Sequence, residues 1–342
     1  MPLEFEKAWS DLNAELQQLE QGAGLPAALH ALEAHQRQTG FIEGTIDQLE
    51  RYTLYHPDDP TRYFLAQYNP RRALRFAGSG SREARSPSHE NGCFLCRENI
   101  QWQQQGTQLG YRIETRERAY FALMNPFPLL PAHVVMAATG HVPQDWRFKE
   151  DTGLDVAMLL EDLVQLGDRL PGHLGFYNGV NAGATIPGHL HYQFFRRPED
   201  QGPFPLEAAA AKMAERKVAP VIVQDYPLDA AIWKGEAQNI VARASDWIAL
   251  WAERNRSRLD GLAANFITSR NVEDDDVTLY FVPRDRAKPR AARFSNLVGG
   301  IEVLGEFVLS NPEDKAGLDE GGIDYFTLEA ALASVRAPIE ID

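Results

Sequence analysis

Two histidines and an amide alternate over five residues of the chain, in the segment His189-Leu190-His191-Tyr192-Gln193. Side chains alternate along a β-strand, so a strand here places His189, His191 and Gln193 on one face and the two apolar residues on the other. The apolar pair can enter a core, whereas the polar set needs a partner or a substrate. An imidazole presented in this way can act as a nucleophile.

A loop of small residues stands directly before this segment. Gly183, Ala184 and Thr185 allow backbone N–H groups to approach an anion, and the Thr185 hydroxyl can donate to a phosphate oxygen. A nucleophilic imidazole beside an anion-binding loop is typical of phosphoryl or nucleotidyl transfer.

The order of residues from Asn178 to Gln193 resembles that of a known family. An Asn, a small-residue loop and His-x-His-x-Gln are similar to the galactose-1-phosphate uridylyltransferase branch of the histidine-triad superfamily, which includes diadenosine tetraphosphate phosphorylases and plant GDP-L-galactose phosphorylases. Ala184-Thr185-Ile186 and Pro203-Phe204-Pro205 most resemble the plant phosphorylases. The resemblance covers about residues 90–210 well and 260–335 loosely. It implies that His191 attacks the α-phosphorus and forms a covalent nucleotidyl-histidine.

Gln193 favours transfer over hydrolysis. The hydrolases of the superfamily carry a third histidine at this place. A neutral amide can bond phosphoryl oxygens but cannot protonate a leaving group or activate water well. The resemblance further implies that Asn178 contacts the nucleotide and that Asn125 and Phe127 line its site. The segment Asn125-Pro126-Phe127-Pro128 could equally be a stiff turn, since proline fixes φ.

The two cysteines of the chain form one Cys-x-x-Cys, at Cys93 and Cys96. From spacing alone, a redox pair, half of a metal site and coincidence all stay open. The resemblance implies a structural Zn²⁺ with four ligands: Cys93, Cys96, His141 and His189. Such a metal would hold the strand that carries His191. His133 or His173 could replace His141.

The elements that must position these residues alternate between helix and strand without a strict βαβ order. Apolar spacing predicts helices over residues 4–20, 25–37, 153–169, 206–216, 237–254 and 325–335. Strands are predicted over residues 61–68, 119–124, 133–138, from 176, 189–195, 263–269, 277–283 and 301–309. We therefore expect an α+β fold with a mainly antiparallel sheet flanked by helices and a second strand-rich half. The resemblance implies that this fold is histidine-triad-like.

Composition shifts, together with what the resemblance implies, predict four parts of the chain. These are a helical N-terminal extension with a strand (1–77), a flexible loop (78–92), a histidine-triad-like catalytic half (93–258) and a second strand-rich half that completes the fold (259–342). The basic segment 284–293 is either a solvated loop or a site for the acceptor phosphate. Glu306 stands where the plant phosphorylases carry a histidine, which leaves any sugar specificity open.

Charge and cysteine content exclude several classes of partner. The formal net charge of −14 at pH 7 disfavours nucleic acid and anionic membranes, so a phosphorylated substrate must be captured locally. One cysteine pair is not a disulfide framework. We find no apolar run of membrane-spanning length and no signal pattern, so a cytoplasmic location is expected.

The sequence as a whole predicts a nucleotidyltransferase or nucleotide phosphorylase. It would transfer a nucleoside monophosphate from a nucleotide sugar or dinucleoside polyphosphate to phosphate or a sugar phosphate through nucleotidyl-His191. The alternatives are a histidine-triad hydrolase of dinucleoside polyphosphates, a non-catalytic zinc-stabilised nucleotide-binding module, and a thiol oxidoreductase centred on the cysteines. Relatives are often dimers, so a homodimer is possible. The preferred nucleotide, the acceptor and the oligomeric state stay open.

Overall fold

The computed structural model describes residues 2–43, 46, 49–74, 92–103, 107–147, 149, 154–212, 219–223, 225–273, 275–286, 292–294 and 298–340. The predicted flexible loop 78–92 therefore lies, except for Gly92, outside the described residues, as do residues 287–291 of the basic segment. Among the residues described, no helix is long and apolar enough to cross a membrane.

Helices and strands alternate irregularly along the chain. The helices are α1 (Pro2–Ala23), α2 (Leu25–Gln38), α3 (Arg97–Gln103), α4 (Val156–Asp168), α5 (Pro205–Ala211), α6 (Ala237–Arg254), α7 (Gly300–Leu304), α8 (Pro312–Asp319) and α9 (Tyr325–Ala333). The strands are β1 (Glu50–His56), β2 (Asp59–Tyr68), β3 (Gly110–Glu114), β4 (Ala119–Met124), β5 (Val134–Ala138), β6 (His173–Asn178), β7 (His191–Arg196), β8 (Val221–Val223), β9 (Ala230–Gly235), β10 (Leu262–Arg270), β11 (Val277–Asp285) and β12 (Glu306–Leu309).

The strands form two sheets. The larger has the order β3-β4-β5-β7-β6-β10-β11-β9-β8, and its neighbouring strands are antiparallel. The smaller has the order β1-β2-β12, with β12 parallel to β2. The predicted α+β fold with a mainly antiparallel sheet is confirmed. The strand that carries His191 lies near the middle of the larger sheet.

Strand alternation divides the core between the two faces of the larger sheet. Tyr177, Tyr192, Phe194, Phe266 and Phe281 pack on the face covered by α1, α2, α4 and α6. Their sequence neighbours Phe176, Phe195, Ile267, Tyr280 and Val282 pack on the opposite face, against the smaller sheet, α7 and α9. Because His191 and Gln193 alternate with the first set, they belong to the face under the smaller sheet and α7.

Several predicted strands differ from the structure at their ends, and the strand predicted from 176 begins at His173. Two differences affect the site. The strand predicted over 189–195 begins at His191, so His189 lies in the turn before it. The strand predicted over 301–309 is a short helix, α7, followed by β12. Gly305 separates the two with a φ of 102°. A left-handed residue at this position ends a helix, and glycine adopts that conformation without steric cost.

Candidate functional site

A cavity of about 590 Å³ lies on the side of the larger sheet that faces the smaller sheet and α7. The predicted residues that line it are His191, Gln193, Asn125, Asn178, Gly183, Ala184 and Thr185. Phe127 is not among its lining residues, although its neighbour Pro126 is. Instead, the Phe127 carbonyl accepts a hydrogen bond of 2.8 Å from the Arg72 guanidinium. The structure therefore brings together the predicted catalytic residues and all the predicted substrate-binding residues except Phe127.

Part of the cavity lining is apolar. It includes Phe41, Phe94, Leu95, Leu123 and Val135, and the polar residues Gln108 and Asn125 also line the cavity. Apolar walls with a few placed polar groups are the usual lining of a small-molecule site. This part of the cavity suits a planar base better than it suits a phosphate.

The His191 ring is held by the backbone of its own segment. Its Nδ1 lies 2.8 Å from the carbonyl oxygen of His189 and donates to it, because a carbonyl can only accept. In the neutral ring the second nitrogen, Nε2, then carries the lone pair. The residue is 4% exposed, and the exposed part faces the cavity. This arrangement suits a nucleophilic imidazole.

Gln193 is held by a histidine that we considered from the sequence only as a spare metal ligand. His133 Nδ1 accepts from the backbone N–H of Leu129 at 3.2 Å, so its proton lies on Nε2. That nitrogen is 3.0 Å from Gln193 Oε1 and donates to it. The Gln193 oxygen therefore accepts a hydrogen bond from His133, and the Gln193 NH₂ group faces the cavity.

The loop before the strand approaches α7 closely. Gly183 has a φ of 96°, and a Cβ added there would lie 2.5 Å from the Cα of Gly299. Only glycine meets both requirements. On the same loop, the Asn181 amide stands against the Arg286 guanidinium, with contacts of 2.5 and 3.0 Å once its oxygen is oriented to accept. One residue of the basic segment thus reaches the wall of the cavity.

A buried carboxyl group, Glu302, lines the cavity at α7. It accepts a hydrogen bond of 3.1 Å from the N–H of Gly299 and so caps the helix. Burial raises the pKa of Glu302 to about 7, against a smaller opposing effect of the Arg72 charge. Glu302 was not predicted as a site residue, because its segment was expected to be a strand.

The four predicted metal ligands lie together beside the cavity. One ligand atom from each of Cys93, Cys96, His141 and His189 falls within 4.8 Å of the others. Cys93 Sγ is 3.3 Å from His189 Nδ1, and Cys96 Sγ is 3.3 Å from His141 Nδ1. Sulfur and nitrogen ligands of a tetrahedral zinc ion are about 3.6 Å apart. The donor set and its spacing therefore fit a zinc ion.

Local structure prepares this cluster for a metal. A turn from Cys93 to Cys96 precedes α3, and Asn99 of that helix donates to the Cys93 carbonyl at 2.9 Å. His189 Nε2 donates to the Ala138 carbonyl at 2.7 Å, which leaves the Nδ1 lone pair facing the sulfurs. Burial lowers the pKa of His189 and favours the neutral ring that binds metals. His133 and His173 lie outside the cluster.

Comparisons with known proteins bear on the fold. A family model described as a domain of unknown function (DUF4922) matches residues 41–196. No curated protein matches the chain in sequence. The structure of yeast Ap4A phosphorylase Apa2 in complex with AMP is similar, with 17% identity, a TM-score of 0.60 and coverage of 91% of this chain and 95% of that chain. Its complex with Ap4A gives 14% identity, a TM-score of 0.59 and coverage of 91% and 97%. A third structure of this yeast protein gives 16% identity, a TM-score of 0.56 and coverage of 92% of this chain and 95% of that chain.

At these identities the similarity establishes the fold. The chain has the fold of yeast Ap4A phosphorylase over 91% of its length. This confirms the fold that the resemblance to diadenosine tetraphosphate phosphorylases implied.

Proposed function

We propose that the protein is a nucleotidyltransferase of the phosphorylase type. It transfers a nucleoside monophosphate from a nucleotide sugar or a dinucleoside polyphosphate to phosphate or a sugar phosphate. The observation that carries the proposal is the His191 ring in the cavity wall, with Nδ1 held by a carbonyl and the lone pair on Nε2. The yeast protein of the same fold has been captured with AMP and with Ap4A, which supports a nucleotide as the occupant of the cavity.

The reaction proceeds in two displacements at His191. The Nε2 lone pair attacks the α-phosphorus, the N–P bond forms, and the bond from phosphorus to the leaving-group oxygen breaks, with its electron pair going to that oxygen. An oxygen of the acceptor phosphate then attacks the same phosphorus, and the N–P electron pair returns to Nε2. Negative charge on the non-bridging oxygens is stabilised by the Gln193 NH₂ group, the Thr185 hydroxyl and the N–H groups of the loop around Gly183.

We further propose that Zn²⁺ binds Cys93, Cys96, His141 and His189 in a structural role. Four protein ligands fill a tetrahedral site, so no position stays open for substrate. The ion would fix the turn at His189, whose carbonyl accepts the His191 Nδ1 proton. The metal site and the nucleophile are thus connected through one residue, and the zinc takes no part in the displacement.

Phosphorolysis is favoured over hydrolysis by the environment of Gln193. Its oxygen accepts from His133, so the group that faces the cavity is an amide NH₂, which is neither an acid nor a base at neutral pH. Such a group can bind a phosphoryl oxygen but cannot activate water. The acceptor must therefore arrive with its own nucleophilic oxygen, as a phosphate does.

Incubation with dinucleoside polyphosphates and nucleotide sugars, each with and without inorganic phosphate, tests the proposal. We expect nucleotide products only when phosphate or a sugar phosphate is present, and none with His191→Ala. His30→Ala, at an exposed position of α2, is the control and should retain activity. Product formation that is independent of phosphate would identify a hydrolase instead. Nucleotide binding without turnover of any substrate would identify a binding module.

A further inference from the structure

A hydrogen-bond network of buried side chains extends from Arg284 to the cavity. Arg284 Nη1 donates to Asn265 Oδ1 at 2.9 Å, and Arg284 Nη2 donates to the Val298 carbonyl at 3.1 Å. Asn265 Nδ2 donates to Asn178 Oδ1 at 2.8 Å and to the Ala182 carbonyl at 2.7 Å. Arg284, Asn265 and Asn178 are 2%, 0% and 8% exposed, so water does not compete for these bonds.

The Arg284 guanidinium determines the orientation of two side-chain amides, those of Asn265 and Asn178. Arginine only donates hydrogen bonds, so the Asn265 atom that it contacts must be the oxygen. The Asn265 nitrogen is then the donor to Asn178, and the contacted atom of Asn178 must be its oxygen. The Asn178 NH₂ group is left for the cavity, and no described residue accepts a hydrogen bond from it.

The Gln193 amide is also oriented with its NH₂ group toward the cavity, but by different residues. The Leu129 N–H fixes the tautomer of His133, and His133 Nε2 then occupies the Gln193 oxygen. Asn178 is the last residue of β6, and it lines the same cavity as His191 and Gln193 of the neighbouring strand β7. The nucleophile thus shares the cavity with two amides that both present N–H groups to it.

We infer that Asn265 and Arg284 are positioning residues of the substrate site. They fix the Asn178 amide so that, together with Gln193, it forms a wall of hydrogen-bond donors complementary to the non-bridging oxygens of a phosphoryl group beside His191. Such a site binds a phosphoryl anion, whose oxygens accept hydrogen bonds. It disfavours a ligand group that can only donate them. This inference rests on the proposed function. It adds Asn265, which no motif of the sequence indicated, and it gives Arg284, the first residue of the basic segment 284–293, a buried role behind the cavity wall.

The substitution Asn265→Asp should reverse the orientation of the Asn178 amide. It keeps the bond from Arg284 and removes the bond to the Ala182 carbonyl. A carboxylate accepts from Arg284 but cannot donate to the Asn178 oxygen. The Asn178 amide must then rotate to donate its NH₂ group to Asp, and it turns its oxygen toward the cavity. We expect the affinity for AMP, measured by isothermal titration calorimetry, to fall by about tenfold or more. Asn271→Asp, at an exposed position after β10, makes the same charge change and should alter the affinity less than twofold.

A double-mutant comparison separates positioning from a structural or long-range charge effect. In an Asn178→Ala background, Asn265→Asp should change the AMP affinity less than twofold, because the group through which Asn265 acts has been removed. The inference is wrong if Asn265→Asp weakens AMP binding by the same factor with and without the Asn178 amide. It is also wrong if Asn265→Asp binds AMP as the wild-type protein does.

Arg284→Gln provides a second route if Asn265→Asp does not fold by circular dichroism. Glutamine can donate or accept, so it no longer dictates the orientation of Asn265, and we expect a several-fold loss of AMP affinity; an unchanged affinity would overturn the inference. A wild-type protein that binds none of AMP, GMP, UMP or CMP would overturn the proposed function together with this inference. Nucleotide binding that is insensitive to these variants would overturn the inference alone.

Discussion

Hydrogen-bond direction defines the chemistry of the site at the scale of single residues. His191 donates from Nδ1, His133 donates from Nε2 to Gln193, and Asn265 donates from Nδ2 to Asn178. These bonds determine which polar atoms His191, Gln193 and Asn178 present to the cavity. Residue types and spacing were enough to predict His191 and Gln193. They could not indicate His133, which is 60 residues from Gln193, or Asn265, which is 87 residues from Asn178. An Asn within an apolar strand carries no signal until the strand order is known.

Glu302 makes stability depend on pH. Its pKa rises from 4.5 to about 7 on folding, because burial disfavours the charged carboxylate. Hydrogen bonds from backbone N–H groups, and to a smaller extent the charge of Arg72, offset this only in part. The folded protein therefore binds the proton more tightly than the unfolded chain does. The contribution of Glu302 to stability is largest below pH 4.5 and is lost as the pH rises through 7.

The substitution Glu302→Gln should therefore stabilise the protein at pH 8 by about 2–3 kcal/mol, while at pH 5 the difference should be small. The amide oxygen of glutamine can still accept from the Gly299 N–H, so the helix cap is retained. Urea unfolding of both proteins between pH 5 and 8 measures the difference. A difference that does not change with pH, or that favours the wild-type protein at pH 8, would contradict the assignment.

At the scale of elements, helix α4 is tied to the β3–β4 turn through one buried carboxylate. Asp162 accepts from the Tyr120 hydroxyl at 2.6 Å, from Arg118 at 3.1 Å and from the Thr115 hydroxyl, and it is 0% exposed. Glu161, the preceding residue of the same helix, only pairs with the exposed Arg116. One helix therefore offers a buried and a surface ion pair at adjacent positions.

We expect Asp162→Asn to reduce the free energy of unfolding by about 3 kcal/mol, because it leaves Arg118 without its charged partner in a partly buried position. The matched change Glu161→Gln should cost less than about 0.5 kcal/mol, as surface pairs do. Equilibrium denaturation of the two variants gives the comparison. Equal losses would show that α4 is not held by this carboxylate.

Bound zinc should stabilise the turn at His189 and the strand that carries His191. We expect the purified protein to contain one zinc ion per chain by elemental analysis, and Cys96→Ser to lose it and to melt at a lower temperature. Because the metal would fix the turn at His189, nucleotide affinity should fall in the same variant. Full retention of thermal stability and AMP affinity after complete removal of metal by a chelator would argue against the structural role.

Several elements could not be located from the sequence. β1 is an edge strand with no buried residue, so its existence depends on pairing with β2. The helix–strand break at Gly305 replaces a continuous apolar run that predicts a strand. In contrast, the helix predicted over 237–254 corresponds to α6 at both ends, because its apolar spacing follows a helical period. Elements such as α6 can be predicted because local apolar periodicity determines them. Elements such as β1 depend on pairing with distant segments and cannot be located from the sequence.

At the scale of the whole molecule, the larger sheet joins residues from both predicted halves. β10 and β11 lie between β6 and β9, although they follow β9 in the chain. The strand order depends on pairings between distant segments, so the sequence predicted the fold class but not this order. The division into four parts and the possible homodimer stay predictions. The acidic net charge makes the donors around His191 a local exception in a molecule that repels anions.

A chain that ends at residue 258 should not form a stable catalytic unit. It would lack β10, which leaves the β6 edge unpaired and removes Asn265 from Asn178. We expect such a chain to be insoluble or to unfold without a cooperative transition, since exposed strand edges promote aggregation. Circular dichroism melting and size-exclusion chromatography beside the full chain test this. A soluble fragment that melts cooperatively and binds AMP would contradict it.

The central claim is that His191 becomes covalently attached to a nucleotide. Rapid mixing of the protein with a dinucleoside polyphosphate or nucleotide sugar in the absence of phosphate, followed by intact-mass spectrometry at alkaline pH, measures this directly. We predict a mass increase of one nucleoside monophosphoryl group, mapped to His191, absent from His191→Ala and discharged when phosphate is added. Turnover of the same substrate with no adduct at any time, or an adduct that persists in His191→Ala, would contradict the account.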